Sequence, residues 1–269
     1  MKDIMALMRA GEVVVGTFVV SASPSAVEIV GYSDADFVVI DCEQAALSPY
    51  GTELESCVRA AYAADVTPIV RITSKEVGQV LKAANFGALG IMVPHVNKSE
   101  ELARMIQYAK IPPLGNRSCA PPVRAARHGW EPWPNFVERT NAQVEILPIL
   151  EEPEAFDSLD ELLAVPGVNV VVFGPYDLGQ RLGGVGTAEA EAKIDEYLRE
   201  LIRICDERGI VVMNLAWNTD QVEQQVEVGC RGIIYSTDVS LLNTALREQY
   251  EVLRERLGGV RLAELATTA

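Results

Sequence analysis

The sequence is short of several residue types, and each shortage removes a chemistry. It has only two histidines, His95 and His128. A zinc site built from imidazoles asks for more than that. The six lysines are Lys2, Lys75, Lys82, Lys98, Lys110 and Lys193. None lies inside or closes an apolar run of strand type, which counts against a Schiff-base lysine. No glycine is followed directly by lysine, so a Walker phosphate loop is absent. Gly183-Gly184-Val185-Gly186 does not open a helix straight after a strand, so it is no dinucleotide fingerprint. The five cysteines, Cys42, Cys57, Cys119, Cys205 and Cys230, are odd in number, widely spaced and without a CxxC pair. They read as reduced thiols of a cytoplasmic protein. No apolar run approaches the roughly 18 residues that a membrane span needs. Arg9 and Glu12 break up the first apolar stretch, so no signal peptide is expected.

Positive charge is scarce too. Lysine and arginine total 23 against 38 aspartates and glutamates, a formal net charge of −15. Such a chain repels phosphate backbones and anionic bilayers, so neither nucleic acid nor membrane is an expected partner. A small anionic substrate would need a local positive group.

What the sequence does have is apolar runs. With 269 residues, 49% of them hydrophobic, a large core is within reach. Eight short runs recur: 13–20, 37–42, 68–72, 90–96, 144–151, 168–174, 211–216 and 232–236. They are rich in valine and isoleucine and do not alternate strictly. Strands buried on both faces read this way, as in a parallel sheet. Helical patterns fall between them, at 26–32, 53–64, 76–86, 99–110, 154–164, 188–208 and 220–228, with a last one from Val239 to about Leu257. The expected architecture is a single-domain (β/α)8 barrel over residues 1–258, with a tail at 259–269. A doubly wound open sheet is the second choice. One connection, from Lys110 to Val144, is unusually long and holds Arg117, Cys119, Arg124, Arg127, His128, Trp130 and Trp133, with a short helix expected over 134–141.

In a barrel, chemistry gathers at the C-terminal strand ends. The residues there are Asp41, Glu43 and Gln44, then Arg71, then Pro94 and His95, then Glu151 and Glu152, then Tyr176 and Asp177, then Asn214 and Trp217, and last Thr237 and Asp238. Each has a bland reading. Asp177 serves as well as a helix cap, and Glu151 and Glu152 as first-turn acids before Pro153. Arg71 fits a structural ion pair, His95 a satisfied polar residue, and Cys42 and Cys119 packed thiols. The acids and Arg71 nevertheless share one end of the sheet. Glu151 and Asp177 close neighbouring runs and would repel each other unless a cation lay between them. An all-oxygen pair suits a hard divalent ion such as Mg²⁺ or Mn²⁺.

A wider pattern links these positions. Gly16-Thr17-Phe18, Val39-Ile40-Asp41-Cys42-Glu43, Val70-Arg71, Met92-Val93-Pro94, Gly115-Asn116-Arg117, Leu150-Glu151 and Phe173-Gly174-Pro175-Tyr176-Asp177-Leu178 follow in order over nearly the whole chain. The pattern resembles the metal-dependent pyruvate aldolases of the hydroxy-oxo-heptanedioate aldolase family, related to the citrate lyase β-subunit superfamily. The resemblance implies a barrel assembled as trimers or hexamers, with the last helix on a neighbouring subunit. It implies a divalent metal (Mg²⁺ first, Mn²⁺ or Co²⁺ next) on Glu151 and Asp177, and a small anionic 2-oxo acid as substrate. Arg71 would stabilise the enolate of pyruvate. The backbone from Gly174 through Pro175, Tyr176 and Asp177 would hold the carboxylate, Arg117 would assist binding, and Asp41 and Glu43 would order water near the metal.

The sequence departs from the family where the proton is handled. The usual Asp-Gly-Glu-His reads Asp41-Cys42-Glu43-Gln44, and the partner acid of that histidine aligns with Asn85. Amides take no proton at neutral pH. Ile149 replaces a frequent glutamine and Ser118 a glycine. The expectation is a carbon–carbon lyase acting through a pyruvate-type enolate, in which Gln44 and Asn85 keep the pocket's shape through a mutual hydrogen bond. Retro-aldol cleavage of a 4-hydroxy-2-oxo acid is the family default, and it would need another base here (Cys42, His95, His128 or Tyr176); decarboxylation of a β-keto acid or carbon–carbon bond formation is the changed reaction set beside it. The alternative is a non-catalytic family member that binds an oxo acid or scaffolds an oligomer.

Overall fold

The computed structural model describes residues 1–256. The expected tail at 259–269, and the end of the last helix at Leu257, lie outside the described residues. Eight parallel strands close into a barrel in chain order: β1 (Val14–Val19), β2 (Phe37–Asp41), β3 (Thr67–Arg71), β4 (Gly90–Val93), β5 (Glu145–Leu150), β6 (Val170–Phe173), β7 (Val211–Ala216) and β8 (Gly232–Thr237). Pairing of β1 with β8 completes the ring and rules out the open sheet.

The helices are α1 (Ile4–Arg9), α2 (Pro24–Tyr32), α3 (Thr52–Ala63), α4 (Val77–Phe86), α5 (Ser99–Ala109), α6 (Trp133–Gln143), α7 (Pro153–Asp157), α8 (Leu159–Leu163), α9 (Pro175–Arg181), α10 (Ala188–Glu207), α11 (Thr219–Val228) and α12 (Asp238–Arg256). A 3₁₀ turn spans Arg124–Gly129 in the long connection. Three details differ from the sequence reading. Helix α1 was not expected; Asp3 caps it, accepting from the Ala6 amide, and it buries Ile4, Met5 and Met8 against the barrel interior. The single helix expected over 154–164 breaks at Ser158 into α7 and α8. A further helix, α9, starts directly after β6, with Pro175 at its first position where the missing N–H costs nothing.

The core has two layers because strand side chains alternate. Val38, Ile40, Val70, Ile91 and Leu150 face the helices. Phe37, Val39, Ile69, Met92, Leu147, Ile149, Val170 and Val172 fill the barrel. Gly16 makes room there, since a Cβ would collide with the Phe37 carbonyl and ring. Counting on by two from the inward residues reaches Asp41 after Val39, Arg71 after Ile69, Glu151 after Ile149 and Gly174 after Val172. The period that builds the core therefore delivers those residues to the inner rim of the C-terminal mouth.

Candidate active site

Asp41 is fully buried, and β2 and β3 pair it directly with Arg71. The guanidinium donates from Nε to Asp41 Oδ1 at 2.8 Å and from Nη2 to Oδ2 at 2.7 Å. Its Nη1 lies 3.0 Å from Glu43 Oε2. The Phe18 ring backs it, 4.6 Å from Cζ. Burial opposes the Arg71 charge, but the carboxylates of Asp41, Glu43 and Glu151 together outweigh it, and the pKa is held above its ordinary value. Asp41 Oδ1 also accepts from the Glu43 amide at 2.9 Å, which turns the chain so that Glu43 faces Arg71. A two-point ion pair of this kind fixes orientation as well as charge.

Glu151 is 5% exposed. Its Oε1 accepts from the His95 backbone amide at 2.7 Å. His95 can aim that amide because it sits in the left-handed region, with φ of 55°. The imidazole spans the site: Nδ1 lies 3.3 Å from Glu151 Oε1, and Nε2 lies 3.5 Å from Glu43 Oε1. Glu152 is drawn aside to Asn97 and Arg181, at 2.8 and 3.1 Å. That leaves Glu151 as the inward carboxylate of the pair. Burial pushes the Glu151 pKa up to about 7; the His95 amide and ring oppose this, while Glu43 and Asp177 add to it. Burial raises Glu43 as well, against Arg71 and His95.

Gly174 sits where no side chain fits. A Cβ there would lie 2.5 Å from Glu151 Cβ. Pro175, Tyr176 and Asp177 follow in the first turn of α9, and Asp177 and Tyr176 are exposed at the mouth. The Tyr176 ring meets Trp217 edge-on, with centroids 6.0 Å apart. Among the described residues, no group of three or more His, Cys, Asp or Glu side chains surrounds a common point. The carboxylates that the sequence nominates for an ion are Glu151, which is buried, and Asp177, which is exposed at the mouth. A hard divalent ion that keeps most of its water fits such a sparse oxygen set. Burial is the main cause of the raised Glu151 pKa, and the smaller like-charge contribution of Glu43 and Asp177 is of the sign such an ion would relieve.

Other candidates lie elsewhere. The expected Gln44–Asn85 hydrogen bond is not present among the described residues. Asn85 is in the last turn of α4, which runs back from the mouth towards the opposite face of the barrel, and its Oδ1 accepts from Arg117 Nη2 at 2.8 Å. Gln44 is exposed beside Asp41. Arg117 does not join the cluster of Arg71 and Glu151 within the chain. It is 2% exposed, packed 5.8 Å from the Phe136 centroid and bonded to Thr140 at 3.2 Å. Its task there is to anchor the long connection, and burial lowers its pKa to about 10. Asp238 caps the end of β1, accepting from the Val20 amide at 2.9 Å. Cys42 is buried, which pushes its thiol up to about 12 and leaves it a poor base or nucleophile.

Two residues matter more than the sequence suggested. His95 is central rather than peripheral. Gln79 locks the turn after Arg71, accepting from the Thr73 amide at 2.9 Å and donating to Ser74 at 2.9 Å. The -Pro-His- step at the end of an apolar run was the only available signal for the first. A glutamine on the buried side of α4 was the signal for the second.

A family model described as HpcH/HpaI aldolase/citrate lyase matches residues 14–245. The chain belongs to this family. The 2-dehydro-3,6-dideoxy-6-sulfogluconate aldolase of Pseudomonas putida is 27% identical over 90% of this chain and 92% of its own. The 2-keto-3-deoxy-L-rhamnonate aldolase of Escherichia coli K12 is 27% identical over 95% of this chain and 94% of its own. A crystal structure of a family protein from Burkholderia cenocepacia J2315 superposes with a TM-score of 0.87, at 28% identity, over 94% of this chain and 100% of that one. The names of these relatives support an aldolase-type lyase activity. No helix among the described residues is long and apolar enough to cross a membrane.

Proposed function

We propose that the protein is a divalent-metal-dependent carbon–carbon lyase acting on a 2-oxo acid through a pyruvate-type enolate. The observation that carries this reading is the Asp41–Arg71–Glu43 assembly beside Glu151 at the barrel mouth. Glu151 and Asp177 are the residues that would hold the metal. When bound, the metal supplies Lewis-acid polarisation of the keto oxygen.

The chain's own residues do the rest. Asp41 takes up two of the five guanidinium N–H groups of Arg71 and Glu43 sits beside Nη1 as an ion-pair partner, which leaves N–H groups on Nη1 and Nη2 for an enolate oxygen. Because Asp41 holds Arg71 in place beforehand, charge developing on that oxygen meets a donor that need not reorganise. The first-turn amides of α9, opened by Gly174 and Pro175, face the mouth and suit a carboxylate. Gln44 takes up no proton. His95 is the group placed to do so at Nε2, with Nδ1 towards Glu151 and Glu152. The relatives' names as aldolases of sugar-derived oxo acids support retro-aldol cleavage as the reaction type. A second carboxylated partner or an aldehyde would extend towards Tyr176 and Trp217.

The test measures two reactions of the purified protein with Mg²⁺ or Mn²⁺. Decarboxylation of oxaloacetate needs the enolate site but no base, whereas cleavage of a 4-hydroxy-2-oxo acid needs both. Glu151→Ala and chelation of the metal should abolish both reactions. His95→Asn should lower cleavage by about 100-fold while decarboxylation persists. Full decarboxylation in Glu151→Ala would refute the metal assignment, and equal loss of both reactions in His95→Asn would refute the proton-carrying role.

A further inference from the structure

At the opposite end of the barrel lies a cavity of about 520 Å³. It is bounded by the head of α1, by the starts of β3 and β4 at Thr67 and Gly90, and by the 3₁₀ turn of the long connection. Lys2, Arg59, Arg124, Arg127, His128 and Arg139 line it, with Asp3 the one carboxylate among the lining residues. Asp3 is already committed to capping α1. In a chain of net charge −15, five lysine and arginine side chains around one cavity run against the average. Like charges so placed repel unless protein carboxylates or a bound anion offset them.

Some of these cations have partners. Lys2 meets Asp36 at 2.6 Å, Arg59 meets Glu55 at 2.5 Å, and Arg139 meets Glu131 at 2.7 Å. Arg124 and Arg127 have no carboxylate within ion-pair range among the described residues. Arg124 stacks over Tyr62, 4.3 Å from the ring centroid, and donates from Nη1 to the Phe86 carbonyl at 2.8 Å. Its Nε is buried without a partner among the described residues. A buried donor left open is costly, and a bound ligand or water is the usual resolution. Arg127 and His128 hold consecutive left-handed backbones, with φ of 52° and 54°. Side chains rarely tolerate that conformation, and it recurs where a ligand is clamped. His128 Nδ1 donates to the Pro122 carbonyl at 3.2 Å, which fixes the ring against the turn. Across from these groups, Ile4, Met5 and Leu89 give the cavity an apolar wall.

We infer that this cavity binds a small organic oxyanion carrying two or more negative charges, held by Arg124 and Arg127 and packed against the apolar wall. Phosphate and carboxylate head groups share this chemistry, because guanidinium forks fit both. The volume suits a ligand of metabolite size. The inference stands apart from the lyase reading. β3 separates the two sites, with Thr67 at the cavity and Arg71 at the mouth.

Calorimetric titration of the full chain with pyrophosphate and with citrate tests it. At least one probe should bind saturably, one per chain, with a Kd below about 1 mM. Tighter binding of pyrophosphate would assign a phosphate head group, and tighter binding of citrate a polycarboxylate. Arg127→Ala and Arg124→Gln should each weaken binding by roughly tenfold. Arg71→Lys at the mouth, and Arg199→Ala on the exposed side of α10, should leave it unchanged. Arg127 makes no side-chain bond among the described residues, so its variant is expected to fold even if Arg124→Gln does not. Binding of neither probe, binding intact in Arg127→Ala, or binding lost in Arg71→Lys would each overturn the inference.

Discussion

At the scale of single residues, Asp41 carries the most consequence. It has no exposure, it orients Arg71 through two bonds, and its Oδ1 also holds the Glu43 amide. Removing one partner of a buried ion pair leaves the other charge uncompensated. Asp41→Ala is therefore expected to lower stability by about 3–5 kcal/mol, measured by urea unfolding, and to abolish oxaloacetate decarboxylation. Unchanged activity in that variant would show that Arg71 needs no such orientation. The thiols offer a second check. Burial raises Cys42, Cys205 and Cys230 to about 12 and Cys57 to about 11. Above pH 9 the unfolded chain loses protons that the folded chain keeps, so stability falls as pH rises. Each such thiol contributes about 1.4 kcal/mol per pH unit until its folded pKa is reached. Thermal midpoints from pH 8.5 to 10.5 should fall accordingly, and less so in Cys205→Ala. Cys119, which is exposed, should be the one thiol that reacts quickly with a disulfide reagent in the native protein.

At the scale of elements, the turn between β3 and α4 shows how a support residue works at one remove. Gln79 is 4% exposed and closes that turn on Thr73 and Ser74. Gln79→Ala leaves the Thr73 amide without its acceptor, at a cost of about 1–3 kcal/mol. The expected kinetic result is a lower kcat with KM little changed, because Arg71 loses its backing but not its charge. A change confined to KM would argue against this. The eight strands were legible in the sequence because the apolar runs had the right length and sat between helical patterns. The inner rim was legible too, since Asp41, Arg71 and Glu151 stand at run ends on the inward step. What escaped is tertiary. The family pattern pairs Asn85 with Gln44 by position alone, and only the fold shows that α4 carries it away to Arg117. His95 could not be ranked from sequence because its place depends on a left-handed backbone that no local signal announces. Helix α1 is not legible in the sequence because six residues of mixed pattern carry little periodicity.

At the scale of the whole molecule, α12 stands out. It is 19 residues long and has no buried residue. Val239, Leu242, Leu246, Tyr250 and Leu253 recur at helical spacing and all are exposed. A helix of this kind gains most of its stability from packing, which a single chain does not give it. Self-association through this face is the expected outcome, measured by light scattering on a sizing column. Leu242→Asp with Leu246→Asp should shift the protein towards monomer, and no shift would place the contact elsewhere. The same experiment bears on the exposed Trp130 of the long connection, 85% accessible in one chain. Its fluorescence should move to shorter wavelength on assembly if that segment is covered as well.

Gly174 has a consequence for how such an enzyme could change its diet over time. Every missense mutation of a glycine codon adds a Cβ, and here that carbon would land 2.5 Å from Glu151. Drift has no small step available at this position. Tyr176 and Trp217, a short way outward, are exposed and can be exchanged without disturbing the carboxylate. New substrates would therefore be acquired from the outer rim inward, by trading aromatic surface for other shapes, while the ring of Asp41, Arg71, Glu151 and Gly174 stays as it is.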